Sequence, residues 1–125
     1  MILGLGADWV DMAQMERALE RGGARLRARV FTTSELRYCS GRRREIEHLA
    51  ARFAAKEACF KALGTGWGRQ AGWKDVEVVR RRSGPPEVRL SGRAGRTARK
   101  LGVNRVHLTL SHTSRGALAV VVLES

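Results

Sequence analysis

Cysteine and long apolar runs are both scarce in this sequence of 125 residues. Only Cys39 and Cys59 are present, and their spacing is not that of a C-x-x-C pair, so we expect reduced thiols rather than a disulfide framework or a structural zinc site. No segment approaches the roughly 18 to 20 apolar residues that cross a bilayer. The first twelve residues lack a basic n-region, and Asp8 and Asp11 interrupt their apolar run, which argues against a signal peptide. We therefore expect a soluble, cytoplasmic protein with no membrane association.

Acidic residues are also few. Twelve Asp and Glu stand against 24 Lys and Arg, which gives a formal net charge of +12. Only four of the basic residues are lysines, so arginine carries the excess. Such a surface raises the local concentration of polyanions, whether nucleic acids, phosphorylated small molecules or acidic proteins. Charge alone does not choose among these partners.

What is present is the composition of a folded globular protein, with 43% hydrophobic and 29% charged residues. We predict, in order, a strand over 2–6, a helix over 9–20, a short helix over 32–39, a long helix over 41–66, strands over 75–81 and 86–90, a basic helix over 91–102 and a hairpin of strands over 106–112 and 117–123. The segment 21–31 is too basic and too interrupted by glycine to assign. Because strands and helices do not alternate strictly, these elements predict one α+β domain over residues 1–125, with a mainly antiparallel sheet against a long central helix.

The stretch RFAAKEACFKALGTG, residues 52–66, is the most informative part of the chain. Apolar side chains cover nearly its whole helical circumference, which indicates that the helix is largely buried. A charge on a buried helix needs a partner or a metal ion. Glu57 and Lys61 lie one turn apart, and one interpretation is an ordinary i, i+4 ion pair, worth about 0.2 to 0.5 kcal/mol. Lys56 is less expected, because it falls within the aromatic stripe of the same helix.

Asp8 also has two interpretations. By itself it is typical of an N-cap that accepts a backbone N–H at the start of the following helix. Together with Glu57 it could hold one Mg²⁺ ion, since that ion takes one or two carboxylates and completes its coordination with water and phosphate oxygens. Lys61 would then neutralise a phosphate as a point charge. The Gly64–Thr65–Gly66 sequence would let backbone amides approach that phosphate.

Other polar residues give weaker signals. Ser111 and His112 end the predicted strand 106–112, where a histidine is more often a structural group than a catalyst. The arginine clusters at 41–44 and 80–82 are typical of solvated faces, and the alternative is that they dock an acidic partner.

Four stretches, GLGADWVDM (4–12), RVFTTSELRYC (29–39), RFAAKEACFKALGTG (52–66) and VHLTLSHT (106–113), resemble the holo-acyl-carrier-protein synthase family of 4′-phosphopantetheinyl transferases. The resemblance runs in order along nearly the whole chain, and the F-A-A-K-E-A-x-x-K-A-L-G-T-G string is its most specific part. It implies the 4′-phosphopantetheinyl transferase fold. It also implies Mg²⁺-dependent transfer of 4′-phosphopantetheine from coenzyme A to a serine of an apo acyl carrier protein, with release of 3′,5′-ADP. That reaction belongs to fatty-acid or polyketide biosynthesis.

The resemblance further implies roles for individual residues. Asp8 and Glu57 are expected to be metal ligands, and Lys61 is expected to contact the diphosphate and to stabilise or protonate the leaving group. The expected coenzyme A contacts are Lys61, Arg52, Gly64, Thr65, Gly66, Ser111, His112 and Thr113. Family members are typically homotrimers with sites between subunits, and we expect the same here. Two residues depart from the family pattern. Gln14 is at the position where the family commonly has an arginine that contacts the carrier protein, and Pro86 replaces the usual basic residue of a Gly-Lys-Pro-like turn. Arg17 or Arg21, one to two turns further along the same helix as Gln14, is the candidate for the cation that Gln14 lacks.

One alternative from a different class is a small basic module that binds nucleic acid, which the arginine excess keeps open. Against it, the aromatic residues form no stacking pattern among the basic residues, and no RNA-binding signature is present. We therefore expect coenzyme A and an acidic carrier protein as partners, and no nucleic acid.

Overall fold

In the computed structural model, which describes residues 1–66 and 71–125, the secondary structure follows the predicted order of strands and helices. The elements are β1 (Ile2–Asp11), α1 (Met12–Val30), α2 (Thr33–Cys39), α3 (Glu45–Leu63), a 3₁₀ turn (Trp73–Asp75), β2 (Val76–Val79), β3 (Glu87–Leu90), α4 (Gly92–Leu101), β4 (Arg105–His112) and β5 (Gly116–Glu124). Among the described residues, no helix is both long enough and apolar enough to cross a membrane.

The strands form two antiparallel sheets. The larger has the order β1-β5-β4, and the smaller is the β2-β3 ribbon. The register places Asp8 beside Ala119 and Ala119 beside Leu110, so these three residues lie across the larger sheet. The predicted α+β class with a mainly antiparallel sheet is confirmed, as are the terminal hairpin and the ribbon.

Helix α3 packs directly on β1, and two glycines of that strand permit the close approach. A Cβ atom on Gly4 or Gly6 would collide with the backbone carbonyl oxygens of Ala62 and Ala58. Because alternate residues of a strand face the same side, Asp8 follows these glycines on the face that meets α3. The glycines therefore bring the Asp8 carboxylate close to the helix that carries the other candidate residues.

The start of α1 corrects one prediction. Strand β1 continues to Asp11, and it is Asp11, not Asp8, that caps the helix, through a hydrogen bond of 2.9 Å from Gln14 N to Asp11 Oδ1. The N-cap interpretation of Asp8 is therefore wrong. The unassigned segment 21–31 is mostly helical and belongs to α1, with a break at Gly23, where φ is 57°.

A capping box forms at the start of α2, as Thr32 followed three residues later by Glu35 indicates, and its acid has a second role. Glu35 N donates to Thr32 Oγ1 at 3.2 Å, and Thr32 N donates to Glu35 Oε1 at 2.9 Å. The same carboxylate pairs with Lys56 Nζ at 2.8 Å, and both side chains are fully buried. Burial lowers the pKa of Lys56, and the Glu35 charge opposes that effect.

The rest of this network explains why Lys56 is tolerated inside the core. Lys56 Nζ also donates to the carbonyl oxygens of Trp73 and Val76, and Glu35 Oε2 accepts from Val78 N at 2.9 Å. A buried ion pair is tolerated when hydrogen bonds satisfy its remaining donors and acceptors. The pair thereby joins α2, α3, the 3₁₀ turn and β2.

Candidate active site

A cleft of about 480 Å³ lies between the end of β1, the start of α1 and one side of α3. Asp8 reaches it from β1, and Glu57 and Lys61 reach it from α3. The other lining residues are Trp9, Val10, Asp11, Gln14, Met15, Ala18 and Phe53. The three residues predicted as catalytic thus meet in one place, although Asp8 is far from the other two in sequence.

Lys61 is hydrogen-bonded to β1. Its Nζ donates to Asp8 Oδ1 at 2.9 Å and to the Ala7 carbonyl oxygen at 3.0 Å. The ion pair that Lys61 forms is therefore with Asp8, in place of the predicted i, i+4 pair with Glu57. Because the Lys61 side chain is 53% exposed, its ammonium group is accessible to an anion that enters the cleft.

Glu57 is half-buried beside this pair. Burial raises the pKa of Glu57, the charge of Asp8 raises it further, and Lys61 partly opposes both effects. Two carboxylates that repel each other in a partly desolvated cleft favour a shared cation. The cleft therefore favours a positive charge between or beside Asp8 and Glu57.

This donor set fits magnesium better than zinc. Mg²⁺ binds hard oxygen ligands and needs only one or two protein carboxylates, whereas a structural zinc site uses four protein ligands of the Cys and His type. Within residues 1–66 and 71–125, no group of three or more His, Cys, Asp or Glu side chains is arranged to hold a metal. Asp8 and Glu57 are two oxygen donors in one cleft, which fits an ion whose remaining ligands come from water and substrate.

A second group of polar residues lies where α2, α3 and the end of β4 meet. Arg52 is 4% exposed, stacks its guanidinium 4.4 Å from the centre of the Tyr38 ring, and donates from Nη1 to His48 O at 3.4 Å. Its buried Nε has no hydrogen-bond partner among the described residues. The His112 ring lies 6.0 Å from the His48 ring, centre to centre. Arg52 and His112, two of the predicted coenzyme A contacts, therefore both lie beside His48.

The arginine clusters that the sequence leaves separate meet at the same side of the molecule. A pocket of about 400 Å³ is lined by Tyr38, Arg42 and the three arginines 80–82. The Arg42 guanidinium stacks 3.9 Å from the centre of the Tyr38 ring. Burial and the neighbouring Arg52 charge lower the pKa of His48 in this basic environment. Tyr38 and His48 have no signal in the sequence that marks them as site residues. Tyr38 lines the arginine pocket and also contacts Arg52 and His48, so it connects this pocket to the polar group around Arg52.

Of the remaining predicted contacts, Ser111 lies in β4, and the others, Gly64, Thr65, Gly66 and Thr113, are at chain turns. Gly64 ends α3 with φ of 75°, Thr65 N donates to Phe60 O at 3.1 Å, and Gly66 has φ of 60°. Thr113 N donates to Gly116 O at 2.9 Å in the β4–β5 turn. In the described part of the chain, neither turn lines the cleft of Asp8, Glu57 and Lys61. Arg52 does not line it either, because its position on α3 is rotated by about 140° around the helix axis from that of Glu57.

Comparisons with known proteins agree with this architecture. A sequence model of the 4′-phosphopantetheinyl transferase superfamily matches residues 4–120. The holo-[acyl-carrier-protein] synthase of Geotalea daltonii is 44% identical over 124 residues, which cover 99% of each chain. The crystal structure of the holo-[acyl-carrier-protein] synthase from Neisseria meningitidis covers 100% of both chains with a TM-score of 0.92 and 31% identity. A synthase from Bacillus anthracis, solved in complex with coenzyme A (3′,5′-ADP), has a TM-score of 0.83 and 35% identity over 100% of this chain and 98% of its own.

Proposed function

Since the chain belongs to the 4′-phosphopantetheinyl transferase superfamily and, within it, to the holo-[acyl-carrier-protein] synthases, we propose that Asp8, Glu57 and Lys61 form its reaction centre. Membership of this family makes the chain an enzyme that transfers phosphopantetheine from coenzyme A to an apo acyl carrier protein. We also propose that residues 1–125 form one catalytic domain. The observation that carries it is the meeting of Asp8 from β1 with Glu57 and Lys61 from α3 in one cleft.

In the proposed reaction, the oxygen of a carrier serine attacks the diphosphate phosphorus that bears the pantetheine arm. A new bond forms between that oxygen and phosphorus, and the bond from phosphorus to the bridging oxygen breaks, so 3′,5′-ADP leaves. Negative charge accumulates on the diphosphate oxygens and on the leaving group. Lys61 can meet that charge because its exposed ammonium group already lies at the cleft, held by Asp8. Glu57 and solvent in the cleft are the two groups that can accept the serine proton.

Asp8 and Glu57 are the residues that would hold Mg²⁺. When bound, the ion supplies a positive charge that offsets the diphosphate charge. The neighbouring carboxylates and the raised pKa of Glu57 support this assignment, since both describe a cleft in which an added cation is favourable. Lys61 would then exchange its bond to Asp8 for one to a phosphate oxygen.

The charge of the chain supports an acidic carrier as the second substrate. A surface of net charge +12 steers an acidic protein and makes association dependent on ionic strength. Gln14, the departure from the family pattern, lies in the cleft wall, and Arg17 and Arg21 are exposed further along α1. We propose that these two arginines take part in carrier docking.

We propose that the protein is a homotrimer, and an exposed apolar surface supports the association of several copies of the chain. The outer sheet face, formed by Leu5 and Trp9 of β1 and Leu118 of β5, is exposed by 66%, 57% and 40% at these residues. A contiguous apolar face of this kind is typical of a protein interface. In the register, Ser111 lies beside Leu118 and so shares this face, whereas Asp8 faces α3. Within one subunit, a coenzyme A molecule that contacts both Ser111 and Asp8 would have to reach both faces of the sheet, which supports the proposal of a site between subunits.

The function is tested by incubating the protein with coenzyme A, Mg²⁺ and an apo acyl carrier protein, and then weighing the carrier by mass spectrometry. The account expects a mass increase of one phosphopantetheine group and an equal amount of 3′,5′-ADP. The increase should be absent when Mg²⁺ is replaced by a chelator. No mass increase with several carriers, together with salt-sensitive RNA binding, would favour the nucleic-acid alternative.

A further inference from the structure

Glu47 is a buried acid that the proposed reaction does not use. It lies in the first turn of α3 and is 8% exposed. One carboxylate oxygen, Oε1, lies 3.1 Å from His112 Nδ1, and the other, Oε2, lies 3.5 Å from Arg44 Nε. A carboxylate with so little access to water is retained only when such partners stabilise it. Glu47 therefore connects the start of α3 to the end of β4, which are 65 residues apart in sequence.

The backbone at Arg44 adds a second observation. Arg44 precedes α3 and has φ of 67°, and it is the only described residue other than glycine with positive φ. Side chains disfavour this left-handed conformation, so it persists where surrounding contacts hold it. Here the Arg44 side chain lies against Glu47. The carboxylate therefore contacts Arg44 on one side and His112 on the other.

The contact has a direct consequence for the His112 ring. A carboxylate can only accept, so the proton of a neutral His112 is placed on Nδ1, and Nε2 is left for another partner. That nitrogen accepts a hydrogen bond when the ring is neutral and donates one when the ring is charged. The His48 ring, 6.0 Å away at an interplanar angle of 62°, packs near the same imidazole and restricts its orientation.

We propose that Glu47 is a positioning residue that orients the His112 imidazole for coenzyme A. The inference rests on the proposed function, in which His112 contacts coenzyme A. It adds a role for Glu47, which is not one of the predicted coenzyme A contacts. A ring held in one tautomer and one orientation before binding loses less conformational freedom when the ligand arrives. Glu47 acts on coenzyme A only through His112.

A double-mutant cycle tests whether Glu47 affects coenzyme A binding only through His112. Glu47→Ala should raise KM for coenzyme A about tenfold, the loss expected for one hydrogen bond to a charged group, with little change in kcat. In a His112→Ala background, Glu47→Ala should have no further effect on KM. Glu47→Gln keeps an oxygen that accepts from Nδ1 and should recover most of the affinity. Glu45→Ala, which removes an acid from the same helical turn, should leave KM unchanged and serves as the matched control.

Nuclear magnetic resonance of the His112 ring nitrogens gives a readout that needs no coenzyme A. The account expects the Nδ1–H tautomer in the unsubstituted protein and in Glu47→Gln, and a shift toward the Nε2–H tautomer in Glu47→Ala. Equal effects of Glu47→Ala with and without His112, or an unchanged tautomer, would overturn the positioning role. Absence of transfer by the unsubstituted protein would instead overturn the proposed function, so the two failures are distinguishable.

Discussion

Lys61 Nζ lies 2.9 Å from Asp8 Oδ1, which joins α3 to β1 across 53 residues of sequence. This pair places a cation beside the two acids of the cleft. The arrangement connects the packing of α3 on β1 to the chemistry proposed for the cleft, because the helix and the strand each supply part of it. Changes in that packing should therefore affect both stability and activity.

Substitution at Gly6 tests this connection. Gly6→Ala should lower the free energy of unfolding by about 1 to 3 kcal/mol, because the new methyl group collides with the Ala58 carbonyl oxygen and moves β1 away from α3. Transfer activity should fall by more than the fraction of protein that the substitution unfolds, since Asp8 moves with the strand. Urea unfolding and the transfer assay measure the two effects.

The matched control for Gly6 is the same substitution in α4. The nearest atoms to a Cβ on Gly95 lie at 3.6 Å, an ordinary contact distance. Gly95→Ala should therefore stabilise the protein by about 0.5 to 1 kcal/mol, because alanine favours the helix. If Gly6→Ala and Gly95→Ala changed the free energy of unfolding in the same direction, the close approach of β1 to α3 would not explain why residue 6 is a glycine.

The buried Lys56–Glu35 pair predicts a large loss of stability when one partner is removed. Lys56→Met should lower the free energy of unfolding by about 3 to 5 kcal/mol, since it leaves Glu35 buried without its cation. Adding Glu35→Gln to Lys56→Met should recover part of that loss. Arg81→Ala removes an exposed pair with Glu87 and should cost at most about 1 kcal/mol. Chemical denaturation checks all three, and a loss at Lys56 as small as that at Arg81 would contradict the account.

The lowered pKa of His48 predicts a pH dependence of stability. The unfolded chain takes up the histidine proton near the usual pKa of about 6.5, whereas the folded chain does so at lower pH. Between those values the unfolded state binds more protons, so stability should fall as the pH drops below about 6.5. His48→Gln should reduce that slope in urea unfolding curves measured at about pH 8 and about pH 5.5.

The outer sheet face predicts the effect of a charge on assembly. The unsubstituted protein should be a trimer by light scattering coupled to size-exclusion chromatography, and Leu5→Glu should give a smaller species, because it places a charge in an apolar interface. Leu101→Glu changes a comparably exposed leucine of α4 and should leave the trimer intact. A trimer that tolerates Leu5→Glu would place the interface elsewhere.

Sequence reasoning predicted the features that depend on local rules. The short helix over 32–39 and the terminal hairpin follow from neighbouring residue types, and both are confirmed. The long helix is also confirmed, but α3 covers Glu45–Leu63, inside the predicted 41–66, and ends at Gly64. The boundary at Asp11 was missed, because the segment between Ala7 and Asp11 fits both a strand and the start of a helix. A three-residue shift was enough to assign the cap to Asp8.

Contacts between distant segments were not predictable in this way. Lys56 appeared anomalous because no sequence spacing relates it to Glu35, and Lys61 was paired with Glu57 because only the helical neighbour is visible in sequence. The contact of Glu47 with His112 has no local signal at all. The resemblance nevertheless selected Asp8, Glu57 and Lys61 together, and the structure places all three in one cleft.

The proposed reaction requires the negative charges of both Asp8 and Glu57, since these two carboxylates would hold Mg²⁺. Glu57→Gln keeps the size of the side chain and removes its charge, and Glu45→Gln makes the same change at another acid of α3. The most direct measurement is kcat/KM for transfer by carrier mass spectrometry at saturating Mg²⁺. The account predicts a loss of at least about a hundredfold for Glu57→Gln and none for Glu45→Gln. Transfer by Glu57→Gln at a rate near that of the unsubstituted protein would contradict it.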